Sequence, residues 1–279
     1  MKLGYSTWGM PTIEPEVAIP YLADLGFDGV EICVVPGYST DLVTLTPQRR
    51  SSILDLLSEH DLELPAISGN TSLMAADPSA HQANMARLFA TIDLAVDWAQ
   101  QGAPPCITTT AGGRPDDWER LRPQLIERSI QLANYAARAG VIIAIEPHVG
   151  SIMETPQQIL SLVNTIDSPY LRVNFDISHF NVMGIAVEES VAALAAHAAH
   201  THVKDERGLY PNHEFLIPGE GEFDYTDYLR AMQRHGYEGT ISAEISVMVQ
   251  RRPDYDPLAT AAQTYTVLAR AFEQAGIKR

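Results

Sequence analysis

The chain has 279 residues, a normal length for one (β/α)8 barrel of roughly 250 residues. Its formal net charge of −16 and its pI of about 4.8 argue against nucleic acid and anionic membranes as partners, because both carry negative charge. The two cysteines, Cys33 and Cys106, lie in apolar runs, so buried thiols are expected rather than a disulfide. No signal pattern begins the chain and no apolar run reaches about 18 residues, so a cytoplasmic protein is expected.

Short apolar runs alternate along the chain with longer amphipathic segments. The amphipathic segments are predicted helices, and Thr46, Asp77 and Thr155 are predicted N-caps because each precedes a proline. Alternation of this kind is typical of parallel strands joined by helical crossovers. The chain is therefore predicted to form a single (β/α)8 TIM-barrel domain over residues 1–279. The eight predicted strands are Leu3 to Ser6, Gly29 to Cys33, Leu64 to Ser68, Pro105 to Thr110, Val141 to Glu146, Leu171 to Asp176, Thr201 to Lys204 and Thr240 to Glu244.

Four consecutive predicted strands end in side chains that commonly bind metals, namely Glu146, Asp176, His202 and Glu244. Carboxylates that directly follow apolar strand residues are costly to bury unless something compensates their charge. Because these strand ends open on one face of a barrel, the four residues indicate one shared cation. His200 is the alternative ligand on the seventh strand, since alternate residues of a strand share a face.

Three carboxylates and one imidazole form an oxygen-rich set of ligands. Such a set suits Mn²⁺, which we favour, and Mg²⁺, Co²⁺, Fe²⁺ or Zn²⁺ as further candidates. A thiolate-rich zinc site is excluded because neither cysteine is placed for it.

Five short motifs occur in order along the chain, namely Glu146-x-His148, Asp176-x-x-His179, His202-Val203-Lys204-Asp205, Pro218-Gly219-x-Gly221 and Ala243-Glu244. Together they resemble the motifs of the xylose isomerase-like TIM-barrel family, which includes ketose epimerases, hydroxypyruvate isomerase-like enzymes and inosose dehydratases. The resemblance covers essentially the whole chain. It implies that Glu146, Asp176, His202 and Glu244 bind one divalent metal and that Glu146 and Glu244 also move protons.

Candidate substrate-binding residues follow the predicted strands. The resemblance implies a substrate contact at His179 and another at an arginine beyond the metal histidine, here Arg207. His148 and His179 are either substrate contacts or groups that support the metal ligands. Lys204 is assigned to the site because it follows the seventh strand, with a simple surface ion pair as the alternative.

Two tryptophans and one glutamate are further candidates near the same face. Trp8 and Trp118 follow the first and fourth strands, where they either shape a sugar pocket or pack at the rim. Glu31 ends the second strand, and both a substrate contact and a structural role are open for it.

The sequence predicts a divalent-metal-dependent isomerase or epimerase of a small sugar or polyhydroxy carbonyl compound. The metal would polarise the carbonyl group and hold the enediolate that forms when the neighbouring proton leaves. Glu146 and Glu244, three strands apart and so roughly 135° around the barrel, could exchange that proton from opposite faces of the substrate.

Other functions use the same residues. A dehydratase or lyase of a keto-sugar or keto-inositol would begin alike and expel a hydroxyl group with an acid such as His179 or His148. A metal-dependent phosphodiesterase, as in apurinic endonucleases, is less favoured because Asn70 and Thr109 stand where further histidines are needed. A non-catalytic sugar-binding protein is the last alternative. The expected partner is a small molecule, with no nucleic acid and no membrane, and homo-oligomerisation is left open.

Overall fold

The protein forms a closed barrel of eight parallel strands in a computed structural model that describes residues 1–100 and 102–279. The barrel strands are β1 (Lys2–Ser6), β2 (Gly29–Cys33), β3 (Ala66–Ser68), β4 (Cys106–Thr110), β5 (Ile143–Glu146), β6 (Leu171–Asp176), β7 (Ala198–Val203) and β10 (Thr240–Ala243). Two further strands, β8 (Asp205–Arg207) and β9 (Glu214–Leu216), form a separate hairpin. Around the barrel the eight strands follow the order β1-β10-β7-β6-β5-β4-β3-β2. The predicted (β/α)8 barrel is confirmed.

Helices cover the outside of the barrel. They are α1 (Pro15–Leu25), α2 (Pro47–Glu59), α3 (Pro78–Asp97), α4 (Trp118–Ala139), α5 (Pro156–Ile166), α6 (Ile177–Asn181), α7 (Val187–Leu194), α8 (Tyr225–Arg234), α9 (Val247–Gln250) and α10 (Pro257–Ala275). The predicted N-caps Thr46, Asp77 and Thr155 are confirmed, since each side chain accepts a backbone N–H from the first turn of its helix. Within the described ranges, every helix is too short or too polar to cross a membrane.

The main difference from the sequence prediction lies after the seventh barrel strand. The segment between residues 205 and 222, where no strand was predicted, contains the antiparallel hairpin of β8 and β9. Each of its strands has three residues, too few to show an alternating pattern. The seventh strand also begins earlier than predicted, at Ala198, because it pairs along β6 from Val173 onward.

Asp205 joins the hairpin to the loop that follows it. Its carboxylate accepts the backbone N–H groups of Gly219, at 2.7 Å, and Phe223, at 3.1 Å. A Cβ atom at Gly221 would lie 2.2 Å from the Asp205 side chain, so this close approach requires glycine. Asp205 therefore orders the loop at the barrel mouth.

Polar side chains meet inside the barrel near the C-terminal ends of the strands. Thr108 of β4 donates to Glu31 of β2, and Asn174 of β6 lies 3.2 Å from the ring of His202 of β7. All four side chains are fully buried. Small apolar residues, such as Ala66 and the free thiol of Cys106, pack on neighbouring strands. The polar interior at the C-terminal end is the base of the site described next.

Candidate metal centre

Four barrel strands bring metal-binding side chains to one point. Glu146 and Asp176 end β5 and β6, His202 is the second-last residue of β7, and Glu244 directly follows β10. Asp176 and His202 are direct neighbours in the strand register. One donor atom from each of the four residues lies within 4.8 Å of the others, and none of the side chains is appreciably exposed. Because buried carboxylates need a compensating charge, this cluster could hold a metal ion.

The His202 ring has two different surroundings. Its Nδ1 atom faces the cluster, 3.4 Å from a carboxylate oxygen of Glu146 and 3.6 Å from one of Glu244. Its Nε2 atom lies 2.8 Å from Glu31 on the opposite side of the ring. The structure thus brings His202 to the three carboxylates, whereas His200 lies beside Glu31, 3.9 Å from its carboxylate.

Electrostatics couple His202 to the acids around it. Burial alone would lower the pKa of His202, but the charges of Glu31 and Glu244 and the hydrogen bonds to Glu146 and Glu31 raise it well above its usual value. Burial raises the pKa of Glu31, but the charge and hydrogen bond of His202 outweigh it and hold that pKa far below the usual range. The Glu31–His202 contact is therefore charge-assisted.

Lys204 places a buried ammonium group among the carboxylates of the cluster. Its ammonium group contacts Asp176 and lies 2.6 Å from a carboxylate oxygen of Glu244, and the residue is 3% exposed. Burial would lower the pKa of Lys204, but the carboxylates of Asp176, Glu244 and Glu146 raise it above the usual value, so the ammonium stays charged. The alternative of a surface ion pair is wrong, because Lys204 points into the barrel mouth.

Acidic groups outnumber the ammonium group in the cluster. The carboxyl groups of Glu146, Asp176 and Glu244 converge there, and Lys204 contacts two of them. Carboxylate oxygens with one imidazole nitrogen are ligands that Mn²⁺, Mg²⁺ and Zn²⁺ accept. The residues present therefore fit a divalent metal.

Two histidines border the cluster. His179 lies one turn after Asp176, with its Nε2 atom 3.4 Å from Asp176 and 3.9 Å from Glu146. The rings of His179 and His148 pack together with centroids 3.8 Å apart. Burial lowers the pKa of His179 well below its usual value, and His148 adds to the effect, so His179 is neutral near pH 7. A neutral imidazole can both donate and accept a hydrogen bond.

A cavity of about 290 Å³ opens directly above the cluster, near the lower limit for small-molecule sites. Trp8 lines it and stacks on Tyr38, with ring centroids 5.6 Å apart. Trp8, His148, His179 and Lys204 are thus brought together there. The residues that line the cavity are Trp8, Asn70, Thr71, Ser72, Thr110, Glu146, His148, His179, Lys204, Phe215, Glu244, Ser246 and Val247.

Arg207 and Trp118 are not brought to this cavity. Arg207 is exposed at the end of β8, donates to the carbonyl oxygen of Glu220, and lines a separate cleft of about 360 Å³. The hairpin, which the sequence did not predict, carries it there. Trp118 begins α4 and packs partly buried against the core, with the guanidinium group of Arg122 5.5 Å from its ring centroid.

Some residues near the cluster were not assigned from the sequence. Glu31 had the same signal in the sequence as the carboxylates of the cluster, namely an acidic residue in an apolar strand. The structure shows that it makes a hydrogen bond with His202. Asn70 and Phe215 line the cavity from a loop and from the unpredicted hairpin. Asn70 follows the third predicted strand, whereas Phe215 had no signal in the sequence, because only the tertiary fold brings the hairpin to the site.

Known proteins similar to this chain include several that act on sugars. It is 26% identical to the L-ribulose 3-epimerase of Methylomonas sp. (strain DH-1), over 81% of this chain and 77% of that protein. It is 22% identical to the fructoselysine 3-epimerase of Shigella flexneri, over 91% of this chain and 93% of that protein. An inosose dehydratase of Lacticaseibacillus casei is 28% identical over 46% of this chain and 47% of its own.

Solved structures share the fold at low sequence identity. The IOLI protein with a bound zinc atom superposes with a TM-score of 0.79 at 18% identity, covering 99% of this chain and 98% of that one. The 3-keto-D-glucoside 4-epimerase of E. coli gives 0.78 at 16% identity, covering 97% and 99%. A Mycobacterium smegmatis protein in complex with magnesium gives 0.71 at 18% identity, covering 98% and 97%.

Fold and site together define a (β/α)8-barrel protein with a buried carboxylate–histidine cluster at the C-terminal ends of its strands. The family model described as xylose isomerase-like TIM barrel matches residues 19–269. The chain therefore belongs to the xylose isomerase-like TIM-barrel family.

Proposed function

We propose that the protein is a divalent-metal-dependent enzyme that isomerises or epimerises a small sugar or polyhydroxy carbonyl compound. The observation that carries this proposal is the buried cluster of three carboxylates and one histidine directly beneath a cavity of about 290 Å³. The similar epimerases and the similar inosose dehydratase, which act on sugars or inososes, support a substrate of this class.

Glu146, Asp176, His202 and Glu244 would hold the metal. When bound there, a divalent ion polarises a carbonyl group and stabilises the negative charge that develops on its oxygen. The oxygen-rich ligand set favours Mn²⁺. Zinc and magnesium are further candidates, supported by the ions in two structures of similar fold.

The glutamates would handle the proton. Glu146 and Glu244 both border the cavity, from strands three positions apart around the barrel. A substrate held between them offers one face to each carboxylate. One glutamate takes the proton next to the carbonyl group and the other returns a proton on the opposite face, which inverts that carbon.

The other residues of the cavity would bind and orient the substrate. Lys204 is charged and can donate to a substrate oxygen from beside Asp176 and Glu244. His148 and His179 offer polar ring atoms on the neighbouring wall. Trp8 provides a flat apolar surface that suits the C–H face of a sugar ring.

A dehydratase of a keto-sugar or keto-inositol is the second candidate. It is favoured by the position of His179, a neutral histidine whose Nε2 atom lies 3.9 Å from Glu146. After a glutamate removes the proton, a donor on this wall could protonate a departing hydroxyl group. A phosphodiesterase is less favoured because Asn70 and Thr110, not histidines, line the cavity on the β3 and β4 side.

The test is an activity screen in D₂O. Protein stripped of metal and reloaded with Mn²⁺ is incubated with ketoses, keto-inositols and keto-glycosides. The expected result is product with deuterium at the carbon next to the carbonyl group, formed only with metal. Glu244→Gln should lower the rate of product formation by about 10² or more, while Glu238→Gln, a matched change at an exposed residue, should not. Product without solvent deuterium, or turnover that survives metal removal, would contradict the proposed mechanism.

A further inference from the structure

We propose that Glu31 is a positioning residue for the metal centre: it fixes the His202 ring with Nε2 as hydrogen-bond donor, so that Nδ1 is the nitrogen that faces the cation. This inference rests on the metal site proposed above. It concerns a residue that lies outside the four-ligand cluster and outside the lining of the cavity.

The contact is short and shielded from water. Glu31 extends from β2 into the barrel interior, and one of its oxygens lies 2.8 Å from His202 Nε2. Its other oxygen accepts a hydrogen bond from Thr108 at 2.7 Å. All three residues are fully buried. Since a carboxylate accepts hydrogen bonds and cannot donate them, Nε2 must carry the hydrogen in this contact.

The opposite edge of the ring faces the cluster. Nδ1 lies 3.4 Å from a carboxylate oxygen of Glu146, 3.6 Å from one of Glu244 and 3.2 Å from the side-chain nitrogen of Asn174. A histidine that donates through one ring nitrogen can offer the lone pair of the other nitrogen to a metal. The bond to Glu31 thus selects both the orientation of the ring and the nitrogen that faces the cation. Without it, the imidazole could rotate or shift its hydrogen to Nδ1.

Two other roles fit Glu31 less well. Its side chain is fully buried and does not line the cavity, so it is not placed to contact a substrate there. Glu31, His200 and His202 also form a group of possible ligands around a second point. However, a separation of 2.8 Å between Glu31 and His202 Nε2 is that of a direct hydrogen bond. His202 Nε2 is therefore already engaged with Glu31 and unavailable to a second ion.

The size of the effect follows from similar arrangements in other metal sites. Removing a carboxylate that supports a metal-bound histidine typically weakens metal binding by about 10- to 100-fold. Glu31→Met keeps the length of the side chain but removes the acceptor, so it should show this loss in full. Glu31→Gln keeps one acceptor oxygen and should fall between Glu31→Met and the native protein.

The matched control removes the other bond of the same carboxylate. Thr108→Val keeps the shape of the threonine and leaves the contact between Glu31 and His202 in place. It should change the Kd for Mn²⁺ by less than about threefold, if the contact with His202 is what matters. A loss equal to that of Glu31→Met would instead indicate a general disturbance of the barrel interior and overturn the inference.

The experiment measures the Kd for Mn²⁺ by calorimetry on the full chain after metal removal. In parallel, nitrogen NMR of the Zn²⁺-loaded protein reports which His202 nitrogen binds the metal. We expect the metal on Nδ1 and a hydrogen on Nε2 in the native protein. The Kd for Mn²⁺ should increase in the order Thr108→Val, Glu31→Gln, Glu31→Met. Should Glu31→Met fold poorly, Glu31→Gln and the NMR assignment of the native protein still decide.

Besides an equal loss in Thr108→Val, three outcomes would overturn the inference while leaving the proposed function intact. They are an unchanged Kd in both Glu31 variants, metal bound to Nε2 in the native protein, and a second equivalent of metal that disappears in Glu31→Met. By contrast, a native protein that binds no divalent metal would overturn the proposed function together with this inference, so the two failures are distinguishable.

Discussion

Replacing Lys204 with methionine tests how the charges of the metal centre are balanced. Methionine keeps the length of the side chain but removes the ammonium group that contacts Asp176 and Glu244. Removing one partner of a buried ion pair typically costs about 3–5 kcal/mol, because the other charge remains buried without compensation. Here two carboxylates lose their partner, so a cost near the upper end, about 4–5 kcal/mol, is expected in protein stripped of metal.

The assay is thermal unfolding with chelator and with saturating Mn²⁺. For a chain of this size, 1 kcal/mol changes Tm by roughly 2–3 °C, so Lys204→Met should melt on the order of 10 °C below the native protein in chelator. A bound divalent cation supplies charge to the same carboxylates, so the gap should narrow when metal is added. The metal-induced rise in Tm should therefore be larger in the variant than in the native protein.

The control is Arg207→Met, which removes an exposed cation that does not line the cavity. Its stability should stay within about 0.5 kcal/mol of the native value under both conditions. The charge argument is refuted if Lys204→Met melts within about 2 °C of the native protein in chelator. It is equally refuted if added metal raises the Tm of both proteins by the same amount.

Three further predictions concern single carboxylates. Asp176→Asn should weaken metal binding and retain the fold, measured by metal content after dialysis and by circular dichroism; unchanged metal content would show that Asp176 is not a ligand. Glu146→Gln and Glu244→Gln should each lower turnover by about 10² or more, with metal occupancy checked in each variant, and normal turnover in both would exclude them as proton carriers. Burial raises the pKa of Glu206 from 4.5 to about 8. Between pH 4.5 and about pH 8 the unfolded chain releases this proton while the folded protein keeps it. The free energy of unfolding therefore falls by about 1.4 kcal/mol per pH unit as the pH rises through this range. Urea unfolding of Glu206→Gln should therefore show a gain over the native protein that grows from pH 5 to pH 8, and a gain independent of pH would contradict the raised pKa.

The barrel and the four residues of the carboxylate–histidine cluster were visible in the sequence because both depend on local order. Eight apolar runs separated by amphipathic segments indicate parallel strands with helical crossovers, whatever the details of packing. Glu146, Asp176 and Glu244 each follow such a run directly. Since all strands of this barrel point the same way, residues at their ends must meet on one face.

Three features of the site depend on contacts between residues that are far apart in the chain. Only the folded barrel shows these contacts. The Nε2 atom of His202 contacts Glu31, which lies 171 residues earlier in the chain, and the Nδ1 side of the ring therefore faces the cluster. Arg207 follows His202 closely in sequence, but the pairing of two three-residue strands takes it to another cleft. Lys204 could have been a surface cation; it is buried because the two carboxylates that it contacts lie on other strands. Sequence patterns report the period of each element and the residues at its ends, whereas the partner of a buried polar group is chosen by the closure of the barrel.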